Sequence, residues 1–339
     1  MKAPIGVIGA GSWGTTLANL LAEKGERVLL WAREAEICRE INEKHKNSVY
    51  LPGFLLSKSV KATQNLEEIA KNCHFLVNAA PSHVTREVWK QIAPHIYSKS
   101  IVVNASKGLE EKTFLRMSSL LQEVLPALKS TQITALSGPS FAKEVMEHQP
   151  TTVVIAGFDK KIISEVQHLF RTETFLTYTH DDLIGVEIGG ALKNVIAIAC
   201  GIVDGMKLGS NTRAALITRG LYEMAKLGKE LGANPLTFAG LTGIGDLILT
   251  CTGDLSRNRS VGMQLGQGKK TEEILCGMRE IAEGVKTSKA VYELSESKNV
   301  NMPICKEIYL ILYEGKAPAQ SLKDLLSLEL KLELGGLFR

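Results

Sequence analysis

The sequence contains no Cys-x-x-Cys pair, no His-Glu-x-x-His and no other histidine spacing suited to a metal. Metal sites depend on such spacings, so no metal is expected. The six cysteines (Cys38, Cys73, Cys200, Cys251, Cys276 and Cys305) lie far apart and read as reduced structural thiols. Long runs of one charge are also missing. Forty basic against 36 acidic residues leave a net charge of only +4, which gives no footing for nucleic acid. No repeat or low-complexity tract occurs. The apolar stretch in Met1–Gly11 breaks on glycines and is too short for an export signal. The most apolar helical candidate, Ile188–Val203, carries Lys193 and Asn194 and falls short of the ~20 clean residues of a membrane span. A buried core helix is expected there, in a soluble, cytoplasmic protein.

What is present is an ordinary globular composition, 45% apolar and 22% charged, over 339 residues. Single cores rarely grow past roughly 250–300 residues, so two domains are expected. Up to about residue 180, short apolar runs alternate with amphipathic stretches. The strand candidates are Ile5–Ile8, Arg27–Trp31, Val60–Thr63, Phe75–Ala80, Ile101–Ala105, Ile133–Leu136, Thr152–Ala156 and Phe175–Thr177. Helical patterns cover Thr15–Lys24, Arg86–Ile92 and Thr113–Val124. This alternation predicts an α/β, Rossmann-like, doubly wound and mostly parallel sheet over residues 1–180. Beyond Asp181 and Asp182, either of which suits a helix N-cap, the patterns are helical, so residues 181–339 read as an all-α domain.

The first strand runs into Gly9-Ala10-Gly11-Ser12-Trp13-Gly14 and then a helix. Glycine triplets arise by chance, but strand before, helix after and a second strand on schedule make a dinucleotide loop. Gly9 permits the tight turn, Gly11 lets backbone approach a pyrophosphate, and Gly14 lets helix pack on strand. The helix N-terminus offers N–H groups and positive dipole to phosphates. Ser12 and Trp13 are placed on the loop that the cofactor passes. At the end of the second strand stands Arg33 where an NAD site usually has a carboxylate. A guanidinium suits a 2′-phosphate, predicting that NADPH binds at least as well as NADH, with Glu34 able to relax that preference. A solvated surface arginine is the alternative.

Other strand ends should line the same crevice: Ala80-Pro81-Ser82, Ser106-Lys107-Gly108 and Ser137-Gly138-Pro139-Ser140-Phe141-Ala142. Lys107 is either a cation aimed into the site or a residue whose stem alone is buried. In the helical half, Lys193 lies within Gly189–Ala199, among apolar residues that strip its hydration. Hydride transfer between alcohol and ketone needs a proton partner beside the reacting carbon. Lys193 fits that role, or else buries its stem with its head in solvent. Asn194 is placed to orient it or the substrate oxygen. Asp246, in Gly245-Asp246-Leu247, needs a cation nearby, and Lys193 is the candidate. Thr250 follows it, and Ser256-Arg257-Asn258-Arg259 offers donors for a phosphate, or a solvated turn.

Taken together, the chain resembles NAD(P)-dependent glycerol-3-phosphate dehydrogenase of the bacterial soluble type over nearly its full length. The resemblance rests on the glycine loop at 9–14, Ser106-Lys107-Gly108, the run from Ser137 to Ala142, Leu192-Lys193-Asn194, Gly245-Asp246-Leu247 and Ser256–Arg259. It implies a Rossmann domain, a helical domain and a site in the cleft between them. Lys193 is implied as proton donor and acceptor. Lys107, Gly138, Ser140, Asp246, Ser256, Arg257 and Asn258 are implied to hold glycerol 3-phosphate. Ser12, Trp13, Arg33, Tyr50, Lys107, Ala142, Arg257, Ile281 and Glu283 are implied to line NADP(H) or NAD(H). A cytoplasmic homodimer feeding phospholipid synthesis is implied too. Two alternatives stand beside it: a related reductase acting on a carboxylate, such as a ketopantoate reductase or a 3-hydroxyisobutyrate-type enzyme, and a non-catalytic NADP(H)-binding protein.

Overall fold

The computed structural model describes residues 3–278, 282–328 and 333. The chain forms two compact units: Met1–Lys107 with Met117–Leu183, and Gly108–Arg116 with Ile184–Arg339.

The first unit is built on eight strands: β1 (Ile5–Ile8), β2 (Val28–Trp31), β3 (Val60–Thr63), β4 (Phe75–Asn78), β5 (Ile101–Asn104), β6 (Ile133–Ser137), β7 (Thr151–Ala156) and β8 (Phe175–His180). Their spatial order is β3-β2-β1-β4-β5-β6-β7-β8. Neighbours pair in parallel except β6 with β7, which run antiparallel. All eight candidate strands exist, with ends shifted by up to a few residues. β1 and β5 are buried at every position, as expected of central parallel strands covered on both faces. The helices are α1 (Ser12–Glu23), α2 (Ala35–Lys44), α3 (Leu66–Asn72), α4 (Ser82–Ile92), α5 (Met117–Val124), α6 (Ala142–Met146) and α7 (Lys160–Phe170). Leu17 and Leu21 of α1 join Val7, Leu30, Val77 and Val103 of the sheet in one core. The order reverses between β1 and β4, the point where such sheets open a ligand crevice beyond the strands' carboxyl ends.

The second unit carries α8 (Leu183–Gly205), α9 (Ser210–Glu230), α10 (Asp246–Thr252), α11 (Arg257–Gly266), α12 (Thr271–Cys276), α13 (Glu283–Ser297), α14 (Pro303–Tyr313) and α15 (Pro318–Leu326). α8 starts directly after Asp182 and is buried from Gly185 to Val203, so its many apolar residues lie at the heart of this core. Among the described residues it is the one helix long and apolar enough to cross a membrane, and its apolar window is wholly buried by protein.

Two expectations about helix starts are corrected. The pattern over Thr113–Val124 becomes a helix only at Met117. Glu110 N donates to Leu115 O at 3.0 Å and Phe114 adopts a φ of 58°, so residues 110–115 make a turn instead. This segment belongs to the helical unit: Leu109 enters its core and Arg116 pairs with the buried Glu187 of α8 at 2.7 Å. Conversely, α1 begins three residues earlier than expected, so Ser12 and Trp13 form its first turn rather than a loop.

Candidate active site

The glycine loop is required at two of its positions by the protein's own packing and at the third by nothing within it. Gly9 has a φ of +113°, and a Cβ there would stand 2.8 Å from the backbone of Ala79 at the end of β4. A Cβ on Gly14 would stand 1.8 Å from the Gly9 carbonyl oxygen. A Cβ on Gly11 would meet no atom within 4 Å. Asn65 and Asp159 cap α3 and α7 with their side chains, whereas no side chain caps α1. A helix N-terminus of this kind presents the positive end of its dipole, the end that suits anions. The indole Nε1 of Trp13 is buried in that turn without a hydrogen-bond partner. Asn47, fully buried, donates to Ala10 O and to Thr15 Oγ1, both at 2.8 Å, and accepts from Tyr50 N at 3.2 Å. Tyr50 is thereby tied to the loop. Ala142 opens α6, which packs on α1 through Asn19 and Met146.

Lys107, Gly138 and Ser140 are brought together at neighbouring strand ends. Lys107 Nζ and Ser140 Oγ both donate to the Gly138 carbonyl, each at 3.1 Å. Gly138 has a φ of +142°, and a Cβ there would approach Val153 of β7 at 3.0 Å. A buried amide pair sets the approach to Lys107: Asn78 Nδ2 donates to Asn104 Oδ1 at 2.9 Å, Trp89 Nε1 donates to Asn78 Oδ1, and Ser106 N donates to Asn104 Oδ1.

In the helical unit, Lys193 and Asp246 are both buried, with side chains 8% and 1% exposed. Lys193 Nζ donates to Asp246 Oδ1 at 2.5 Å and to Thr250 Oγ1 at 2.8 Å. The juxtaposition follows from glycine one turn before Lys193. A Cβ on Gly189 would stand 2.4 Å from Thr242 O, so α8 lies directly on the π-turn Leu241–Gly245 that leads into Asp246. Asp246 and Thr250, one turn apart on α10, then face Lys193 together.

Asn194 meets Asn258, whose Nδ2 donates to Asn194 Oδ1 at 2.9 Å. Asn258 Oδ1 accepts from Gly284 N at 2.9 Å, at the start of α13 beside Glu283. Ser256 caps α11 by accepting from Arg259 N at 3.2 Å. Arg257, exposed, is the first residue of that helix. Ile281 lies outside the described residues.

The chain matches the NAD-dependent glycerol-3-phosphate dehydrogenase N-terminus over residues 4–163 and the C-terminus over residues 182–323. Glycerol-3-phosphate dehydrogenase [NAD(P)+] of Geobacter sulfurreducens is 53% identical over 98% of this chain and 99% of its own length. That of Syntrophobacter fumaroxidans is 51% identical over 98% and 97%. The chain belongs to the NAD(P)-dependent glycerol-3-phosphate dehydrogenase family. The crystal structure of glycerol-3-phosphate dehydrogenase from Coxiella burnetii superposes with a TM-score of 0.93 at 37% identity, covering 96% of this chain and 99% of that one. The Rossmann-like sheet followed by helices is therefore the architecture of the family.

The residues of this chain fit the family's cofactor. Open space at Gly11 leaves room for a close backbone approach by such a group, and the indole Nε1 of Trp13 stands beside it as a donor without a partner. Arg33 forms a salt bridge with Glu34 at 2.7 Å, on the surface, with 77% of its side chain exposed. Such exposed pairs contribute little, so the guanidinium is readily exchanged onto another anion. Reasoning from sequence missed Asn47, Asn78, Asn104, Glu187 and Glu223. A polar residue inside or beside an apolar run was the available signal for several of them, but its partner lies far away in the chain.

Proposed function

We propose that this protein catalyses the reversible, NAD(P)H-dependent reduction of dihydroxyacetone phosphate to sn-glycerol 3-phosphate. The observation that carries the reading is the buried Lys193–Asp246–Thr250 cluster on crossing helices. It places one proton-bearing amine where solvent does not compete and holds it through two side chains of one helix face. Lys193 protonates the developing alkoxide in reduction and takes the proton back in oxidation. The bound nicotinamide supplies the hydride. Asp246 and Thr250 orient the amine, and Asn194 orients the substrate oxygen. Arg257 and Asn258 hold the phosphate, so that remote binding energy serves orientation, and Lys107, Gly138, Ser140 and Ser256 complete the proposed substrate-binding set.

We infer that residues 1–180 form the NAD(P)-binding domain and 181–339 the substrate and catalytic domain, with Lys107, Gly138 and Ser140 of the first also assigned to substrate and Arg257, Ile281 and Glu283 of the second also assigned to cofactor. Gly9, Gly11, Ser12, Trp13, Gly14, Arg33, Tyr50, Lys107, Ala142, Arg257, Ile281 and Glu283 are the cofactor set, with NADP(H) or NAD(H) as ligand. A cytoplasmic homodimer that supplies glycerol 3-phosphate for phospholipid synthesis completes the proposal. The test is NADPH oxidation with dihydroxyacetone phosphate, repeated with NADH and with carboxylate ketones such as ketopantoate. Turnover confined to the phosphorylated ketone supports the reading. Turnover of a carboxylate alone, or cofactor binding with no turnover, overturns it.

A further inference from the structure

The fourth residue of Ser256-Arg257-Asn258-Arg259 has no role in the reading above, and its surroundings show what it does. Helices α8 and α11 touch backbone to backbone along a seam of four glycines. A Cβ on Gly201 would stand 2.1 Å from Arg259 O, and one on Gly205 would stand 2.2 Å from Met263 O. In the other direction, a Cβ on Gly262 would stand 2.0 Å from Ile198 O, and one on Gly266 would stand 2.3 Å from Ile202 O. Each helix offers glycines four residues apart, so one face of each is bare and the axes close fully. Such a seam fixes separation well. It offers no side chains to interlock, so a directional lock between the two helices has to come from the edge of the seam.

Arg259 supplies that lock. Its Nε donates to Asp204 Oδ2 at 2.8 Å, and its NH1 donates to Asp254 Oδ1 at 2.9 Å. Asp204 lies on α8 next to the seam, and Asp254 lies in the turn that enters α11. Arg213 of α9 holds the other Asp204 oxygen at 2.9 Å. The Arg259 and Asp204 side chains are 12% and 13% exposed, so this ion pair is shielded, unlike a surface bridge. A guanidinium bonds two separate carboxylates in fixed directions; an ammonium lacks that fork. Meanwhile the Arg259 backbone N–H is the group that Ser256 caps. One residue thus joins α8, the entering turn and the helix cap, with Arg257 and Asn258 held between.

We propose that Arg259, through Asp204, is a positioning residue that sets where Arg257 presents its guanidinium. This rests on the reading of Arg257 as a phosphate ligand. The test compares R259A, R259K, D204N, R257A and R257A/R259A as full-length enzyme, with KM for dihydroxyacetone phosphate, KM for NADPH, kcat, and inhibition by inorganic phosphate. R259A and D204N are expected to raise KM for dihydroxyacetone phosphate about tenfold, a loss of about 1.4 kcal/mol. The phosphate inhibition constant should rise in parallel, with kcat changed less than about threefold. R259K should recover part of the loss. In the R257A background, removing Arg259 should add nothing to KM, because the two act as one unit. Should R259A fail to fold, D204N and R259K carry the same expectations. A normal substrate KM in R259A or D204N, whatever the stability, overturns the positioning role, as does an additive double variant. A normal KM in R257A overturns the phosphate reading itself and the positioning role with it; a raised KM in R257A with a normal one in R259A overturns the positioning role alone.

Discussion

Lys193 Nζ stands 2.5 Å from Asp246 Oδ1, and neither group has more than a trace of solvent. Removing the amine should abolish proton transfer by this group. K193A is expected to lower kcat by at least ~10²-fold. Steady-state turnover with saturating NADPH and dihydroxyacetone phosphate decides it, and near-normal kcat refutes the role.

Removing the other partner has a different consequence. D246A strands a buried cation, which typically costs about 3–5 kcal/mol. Urea unfolding should show a loss of stability of that size, larger than for T250V, which removes only a hydroxyl. Equal stabilities for D246A and wild type would mean that the pair is not buried in solution.

The glycine loop separates packing from ligand binding. G14A should destabilise the fold, because its Cβ would collide with the Gly9 carbonyl oxygen. G11A should leave the unfolding midpoint near wild type, since nothing lies within 4 Å of its Cβ. It should nevertheless weaken NADPH binding at least about tenfold, equivalent to about 1.4 kcal/mol. Isothermal titration beside thermal unfolding checks both. Intact NADPH affinity in G11A would place the pyrophosphate elsewhere.

Arg33 and Glu34 pair with each other at the surface. A charge-assisted contact to a 2′-phosphate contributes about 1.5–3 kcal/mol, so R33A should raise the NADPH KM about 10- to 100-fold. The NADH KM should stay within about twofold. Equal changes for both cofactors would show that Arg33 does not read the 2′ position.

Glu223 accepts from Ile304 N at 2.8 Å and Cys305 N at 3.1 Å, joining α9 to the start of α14. Burial pushes its carboxyl up to about 7, opposed by those N–H groups, the Cys305 thiol and Arg219. A folded value above the unfolded 4.5 means that the native state holds a proton the unfolded chain has released. Stability from this group is full below pH 4.5 and is lost as pH rises to about 7, a change of about 3 kcal/mol. Denaturation of E223Q, neutral throughout, should lack that slope between pH 5 and 7.5. Parallel profiles for the two proteins would remove Glu223 as its source.

Much of this was legible from sequence. The eight strands, the glycine loop and the change to helices after His180 all follow from local patterning, because hydrophobic periodicity and turn residues act over a few positions. Lys193 and Asp246 stood out as polar groups in apolar runs, each needing a partner. What the chain alone determined was therefore which segments become strands and helices, and which residues are too costly to bury unpaired. Which partner each finds was decided only in three dimensions. Lys193 reaches Asp246 because Gly189 admits the Thr242 carbonyl, and Arg259 reaches Asp204 because four glycines close a seam. Partners 50 or more residues apart meet through helix packing, where the missing volume of a side chain sets the distance, and no local pattern records that geometry.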